Sequence, residues 1–167
     1  MDERLKPLDI GAVFHSMLFA YQRSLADTLG TKATQTMLHL AMSYLEKVDT
    51  STAIGSIKGR TPHAVLRKLG QLLVRSGLAG RVTVQKTEKG LVFNVEHCIF
   101  AEDVHKLLDP RDVTCPYGLL AMYLVQKNIG LSVADTLSMF TPTGSSTPIE
   151  ADTESEVSRY LRAWATG

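Results

Sequence analysis

Over Arg81-Val82-Thr83-Val84-Gln85 the side chains alternate with period two, Glu88-Lys89-Gly90 supplies a turn signal, and Leu91-Val92-Phe93-Asn94-Val95 resumes the extended pattern. Two alternating runs joined by a short turn containing glycine predict an antiparallel β-hairpin. On the second strand Leu91, Phe93, Val95 and His97 point one way, while Val92, Asn94, Glu96 and Cys98 point the other. His97 and Cys98 therefore stand on opposite faces for as long as the strand stays regular.

Helices flank the hairpin. Before it, Thr61 is an N-cap and Pro62 takes the first helical position, where a missing N–H costs nothing. Val65, Leu66, Leu69, Leu72 and Leu73 then line one face as far as Ser76-Gly77, and Gly70 marks a place of close packing. Further upstream, Val13, Phe14, Met17, Tyr21 and Leu25 recur at helical spacing from Ile10, with Gly30 as the stop. A second helix from Thr31 to Val48 carries Met37, Leu38, Ala41, Tyr44 and Leu45. Both look largely buried. His15 and His39 lie within them, where a lone histidine serves more often as a polar surface or interface residue than as a haem or metal ligand. Thr50 to Gly59 reads as a loop or short strand.

After the hairpin, Ala101 to Leu108 forms a short helix with His105 in its middle, ended by Asp109-Pro110. Thr114-Cys115-Pro116 repeats the earlier start signal, and a strongly apolar helix follows to Asn128-Ile129-Gly130. Leu131 to Phe140 suits a strand, Thr141 to Pro148 a polar turn, and Ile149-Glu150 a return pairing. The capping-box pair Thr153 and Glu156 opens a last helix with Val157, Tyr160, Leu161 and Trp164 on one face.

The expected fold class is α+β: N-terminal helices packed on a small antiparallel sheet, with two central helices and a C-terminal helix. Residues 1–167 suit one ligand-binding-like domain, with 1–49 helical and available for dimerisation, 50–150 the core and 151–167 the last helix. At 44% hydrophobic and 21% charged residues the composition is globular. A net charge of +1, from 18 basic and 17 acidic residues, provides no field for a nucleic-acid backbone. The start Met1-Asp2-Glu3-Arg4 leads into no apolar targeting segment, and no run is long enough to span a membrane. The expected location is the cytoplasm, where two cysteines stay free or metal-bound.

Both cysteines and two of the five histidines lie between Glu96 and Cys115. The spacing Cys98-x6-His105-x9-Cys115 offers three soft ligands, suited to zinc first and to iron-sulfur or haem iron after it. The same residues also suit inert core positions, since free cysteine is commonly buried. Cys115 precedes a helix, whose positive end favours a thiolate for ligation or nucleophilic attack.

The run Val92-Phe93-Asn94-Val95-Glu96-His97-Cys98-Ile99-Phe100-Ala101, followed by Val104-His105 and Cys115-Pro116-Tyr117-Gly118-Leu119-Leu120, resembles the four-vinyl reductase domain family. That family shares its fold with subunits of the Golgi transport-tethering complex and with haem nitric-oxide-binding domains. The resemblance covers residues 50–150. It implies a pocket for a small apolar molecule between helices and sheet, here against Phe100, Tyr117 and Leu120, and a homodimer formed through the N-terminal helices. Family members commonly carry further cysteines in the final strand pair, and Asp135 to Gly144 has none. A fourth metal ligand then falls to Glu96 or His97, to His63, or to water or substrate.

Three functions follow as expectations. The first is a small-molecule binding or sensor protein with a Cys/His metal site. The second is an enzyme acting on an apolar or tetrapyrrole-like substrate, with Cys115 as nucleophile or acid and His97 or His105 as its partner. The third is a dimeric assembly module without a small ligand.

Overall fold

The computed structural model describes residues 10–30, 44, 53–107, 113–134 and 136–151. The second predicted helix, apart from helical and exposed Tyr44, and the predicted C-terminal helix lie outside the described residues.

The architecture is α+β. Helix α1 spans Ile10–Leu29, α2 Pro62–Arg75, the single-turn α3 Ala101–Val104 and α4 Pro116–Ile129. Strands β1 (Ala79–Thr87), β2 (Gly90–Cys98), β3 (Met139–Thr141) and β4 (Gly144–Glu150) form one antiparallel sheet in the order β1-β2-β4-β3. The hairpin is present with Val82 opposite Val95 and Val84 opposite Phe93. On its other side β2 aligns Leu91 with Ile149, Phe93 with Thr147 and Val95 with Ser145.

These rows form the core face. Phe93, Val95, Leu91 and Ile149 are buried against Val65, Leu66, Leu69 and Leu73 of α2 and Leu119, Met122, Tyr123 and Val125 of α4. The opposite face is polar, with Asn94 donating to Thr83 Oγ1 at 3.4 Å and an exposed Arg81–Glu96 pair at 3.8 Å. Local signals place both long central helices. The Thr61 hydroxyl accepts from Ala64 N–H at 3.2 Å, and α4 ends on Gly130 at φ +74°, a left-handed conformation that glycine adopts without steric cost.

Three expectations change. The most apolar stripe of α1 faces outward, with Val13, Phe14, Met17 and Tyr21 all exposed; the buried stripe is His15, Phe19 and Gln22. Leu131 to Phe140 is mostly not strand: Val133 makes one bridge to Ala151, and β3 begins only at Met139. This segment's polar groups serve other partners, since Thr136 O accepts from Thr114 Oγ1 at 3.0 Å and Ser138 Oγ accepts from Cys115 N–H at 2.8 Å.

The predicted polar turn at Thr141 to Pro148 is largely strand β4, with only Pro142-Thr143 turning. Proline is tolerated there for a geometric reason. Pro148 O accepts from Thr136 Oγ1 at 2.6 Å and so points away from β2. A residue's N and O face the same side of a strand, so the absent N–H removes no bond to β2.

Candidate functional site

Cys98 reaches the core because β2 loses its regular geometry one residue earlier. His97 adopts φ +53°, a left-handed conformation uncommon for a non-glycine residue. The alternation breaks there, leaving His97 exposed and Cys98 buried at the sheet's inner end. Cys98 N–H donates to Thr143 O at 2.9 Å, and its thiol interacts with the Phe100 and Ala101 backbone and with the Tyr117 hydroxyl.

Cys115 stands at the N-cap position of α4, fully enclosed. A buried polar chain holds it: Ser138 Oγ accepts the Cys115 N–H and shares a 2.7 Å hydrogen bond with Thr147 Oγ1. Its thiol interacts with Ser145 and with the Gly118 and Tyr117 backbone, and is close enough to Cys98 for their charges to couple. Burial pushes both thiols up and outweighs the hydrogen bonds that pull them down. At Cys115 burial therefore works against the thiolate that the helix N-terminus favours.

Two histidines meet beside these thiols. From α1, the His15 ring stands 4.9 Å from Phe19, 5.0 Å from Phe100 and 6.1 Å from Tyr117 between centroids. Burial first, and His105 second, lower its pKa to about 4, so it is neutral near pH 7. His105 follows α3, with its ring 4.9 Å edge-on to Phe140 and its Nδ1 2.9 Å from Thr141 O. A carbonyl can only accept, so Nδ1 carries a proton and Nε2 is the ring atom left to face an occupant. Burial and the two neighbouring thiols push the Tyr117 phenol up, so it remains a proton donor.

Among the described residues, His15 Nε2 and His105 Nε2 have no hydrogen-bond partner, and the Tyr117 hydroxyl has only the Cys98 thiol beside it. An unpaired buried polar group costs about 1–3 kcal/mol. Hydrogen bonds from an occupant to these groups would offset that cost.

Of the residues singled out from sequence, Cys98, Cys115, His105, Tyr117 and Phe100 gather here. Leu120 instead packs on the main core, Glu96 pairs with Arg81 on the outer face, His97 is exposed, and His63 lies on α2. Among the described residues no three His, Cys, Asp or Glu side chains form a metal-ligating group. His15, weighed in the sequence as a lone helical histidine, joins the site, and with it come Phe19 and Gln22, which were not read as site residues. Their spacing on α1 was visible, but the competing stripe was more apolar.

No family model, curated protein or solved structure matches the chain. No helix among the described residues is long and apolar enough to cross a membrane.

Proposed function

We propose that this protein is a small-molecule binding or sensor domain whose ligand has an apolar body and a hydrogen-bonding head. The observation that carries the reading is a group of buried polar atoms set among Phe19, Phe100 and Phe140: His15 Nε2 and His105 Nε2, without a partner among the described residues, and the Tyr117 hydroxyl, which has only the Cys98 thiol beside it. Apolar walls with a few convergent polar groups are the usual composition of a small-molecule site. The head would donate to His15 or His105 Nε2 and accept from the Tyr117 hydroxyl. The resemblance noted in the sequence implies the same class of ligand. Two protonated, buried thiols favour binding over nucleophilic catalysis, and as free thiols they suit the cytoplasm.

Decanol and decyl methyl ether test this reading, because they share an apolar chain and only the alcohol can donate. Decanol should raise Tm by several degrees and the ether by less, with the difference lost in both His15→Phe and His105→Phe. Equal shifts from the two compounds would sink the reading. The competing occupant is zinc at Cys98, His105 and Cys115. One metal atom per chain in protein purified without chelator, lost in Cys98→Ser, would replace the small molecule with that site.

The outward stripe of α1 supports a homodimer through this helix. Phe14 is 66% and Tyr21 60% exposed, with Val13 and Met17 beside them. One apolar stripe can pair with its own copy about a two-fold axis. Sedimentation at micromolar concentration should give twice the chain mass for the wild type and the single-chain mass for Phe14→Glu. A monomeric wild type would exclude the dimer.

A further inference from the structure

Among the described residues strand β1 is an edge of the sheet, bonded to β2 on one side only. Helix α2 crosses close above it because Gly70 has no side chain; a Cβ there would meet Val82 Cγ1 at 2.7 Å. A groove of about 490 Å³ lies between this helix and the strand. Its floor is apolar, formed by Val74, Val82 and Val84, and its wall is His63, Arg67, Gln71 and Arg75. No carboxylate lines it, and Arg67 and Arg75 form no ion pair among the described residues. In a chain of net charge +1 this is a local concentration of positive charge and hydrogen-bond donors.

We infer that this groove accepts an extended peptide from a partner protein, carrying carboxylates at alternate positions and adding to β1 as a fifth strand. The spacing supports that occupant. The four wall residues recur at every fourth position, which is about 6 Å along a helix. Side chains on one face of a strand recur about every 6.6 Å. Carboxylates at every second position of a peptide laid along α2 would recur at nearly the spacing of the wall residues. The outward N–H and C=O groups of the edge beside Val82 and Val84 would supply main-chain bonds, and the valine floor would exclude water around them. This site is separate from the buried histidine and thiol cluster, so either can exist without the other.

The probe is a fluorescein-labelled peptide alternating threonine and glutamate, with a threonine–glutamine analogue as the neutral control, each titrated into the full chain by anisotropy. The acidic peptide should bind about tenfold more tightly than the neutral one at low salt. The double variant Arg67→Glu/Arg75→Glu should lose about tenfold in affinity, as expected for two exposed charge pairs. Both arginines are exposed, so the fold should survive the change. Amide exchange across Ala79–Thr87 should slow when the acidic peptide is present. Equal affinity for both peptides, or undiminished binding to the double variant, would overturn the inference. Binding with unchanged β1 exchange would reduce the groove to an anion site and also reject the fifth strand.

Discussion

Replacing Gln22 with leucine is expected to lower stability by about 3 kcal/mol, because it leaves two buried main-chain groups without partners. Gln22 is only 4% exposed, and its amide lies against Thr114 like a short piece of strand. Its Nε2 donates to Thr114 O at 2.8 Å, and its Oε1 accepts from Thr114 N–H at 2.9 Å. Thr114 is wholly enclosed, so water cannot replace either bond. Leucine fills a similar volume, which keeps the packing loss small and isolates the hydrogen-bonding cost. In a chain of this size the loss corresponds to a fall in Tm of roughly 10 °C. Urea unfolding with an unchanged slope and a lowered midpoint would measure it. A loss below about 1 kcal/mol would mean that α1 is not held to the body through this amide. Thr114 directly precedes Cys115 and α4, so the decanol response should weaken with the stability.

Gly118→Ala should cost about 2 kcal/mol, although alanine is the better helix former by about 1 kcal/mol. Gly118 is buried in the first turn of α4, facing Thr147 of β4. An added Cβ would lie 2.7 Å from Thr147 Cγ2 and 3.0 Å from its Cβ, with Oγ1 closer still. Thr147 cannot easily turn aside, being β-branched and bonded to Ser138 through its hydroxyl at 2.7 Å. The steric origin is testable by a double-mutant cycle. In a Thr147→Ala background most of the crowding atoms are gone, and the added methyl should cost less than about 0.5 kcal/mol. Strict additivity of the two changes would place the penalty elsewhere.

Much of the architecture was legible because its signals are local. Thr61 and Pro62 open α2, Gly130 closes α4, and the alternation from Arg81 to Val95 predicts β1 and β2 because it matches a pleated strand with one buried face. Strand β4 was hidden because Gly144, Ser145, Ser146 and Pro148 are turn-forming residues. Pairing with β2 overrides that preference once Pro148 has its N turned away from the ladder.

The candidate site was legible only in part. Cys98, His105 and Cys115 stood out by chemistry, but their setting depends on contacts made far along the chain. The His97 backbone at φ +53° turns Cys98 inward, where strand alternation alone assigns it to the opposite face. His15 joins His105 because the Gln22 amide, bound 92 residues away at Thr114, sets the rotation of α1.

By itself the sequence determined the elements whose start, stop and periodicity are written within a few residues: the hairpin, the capped α2 and α4, and the helical character of α1. Only the tertiary structure decided which face of α1 is buried, which way Cys98 points and which polar atoms are left unpaired. Those outcomes come from competition between distant partners for the same buried space, and the hydrophobic period of one segment cannot carry that information.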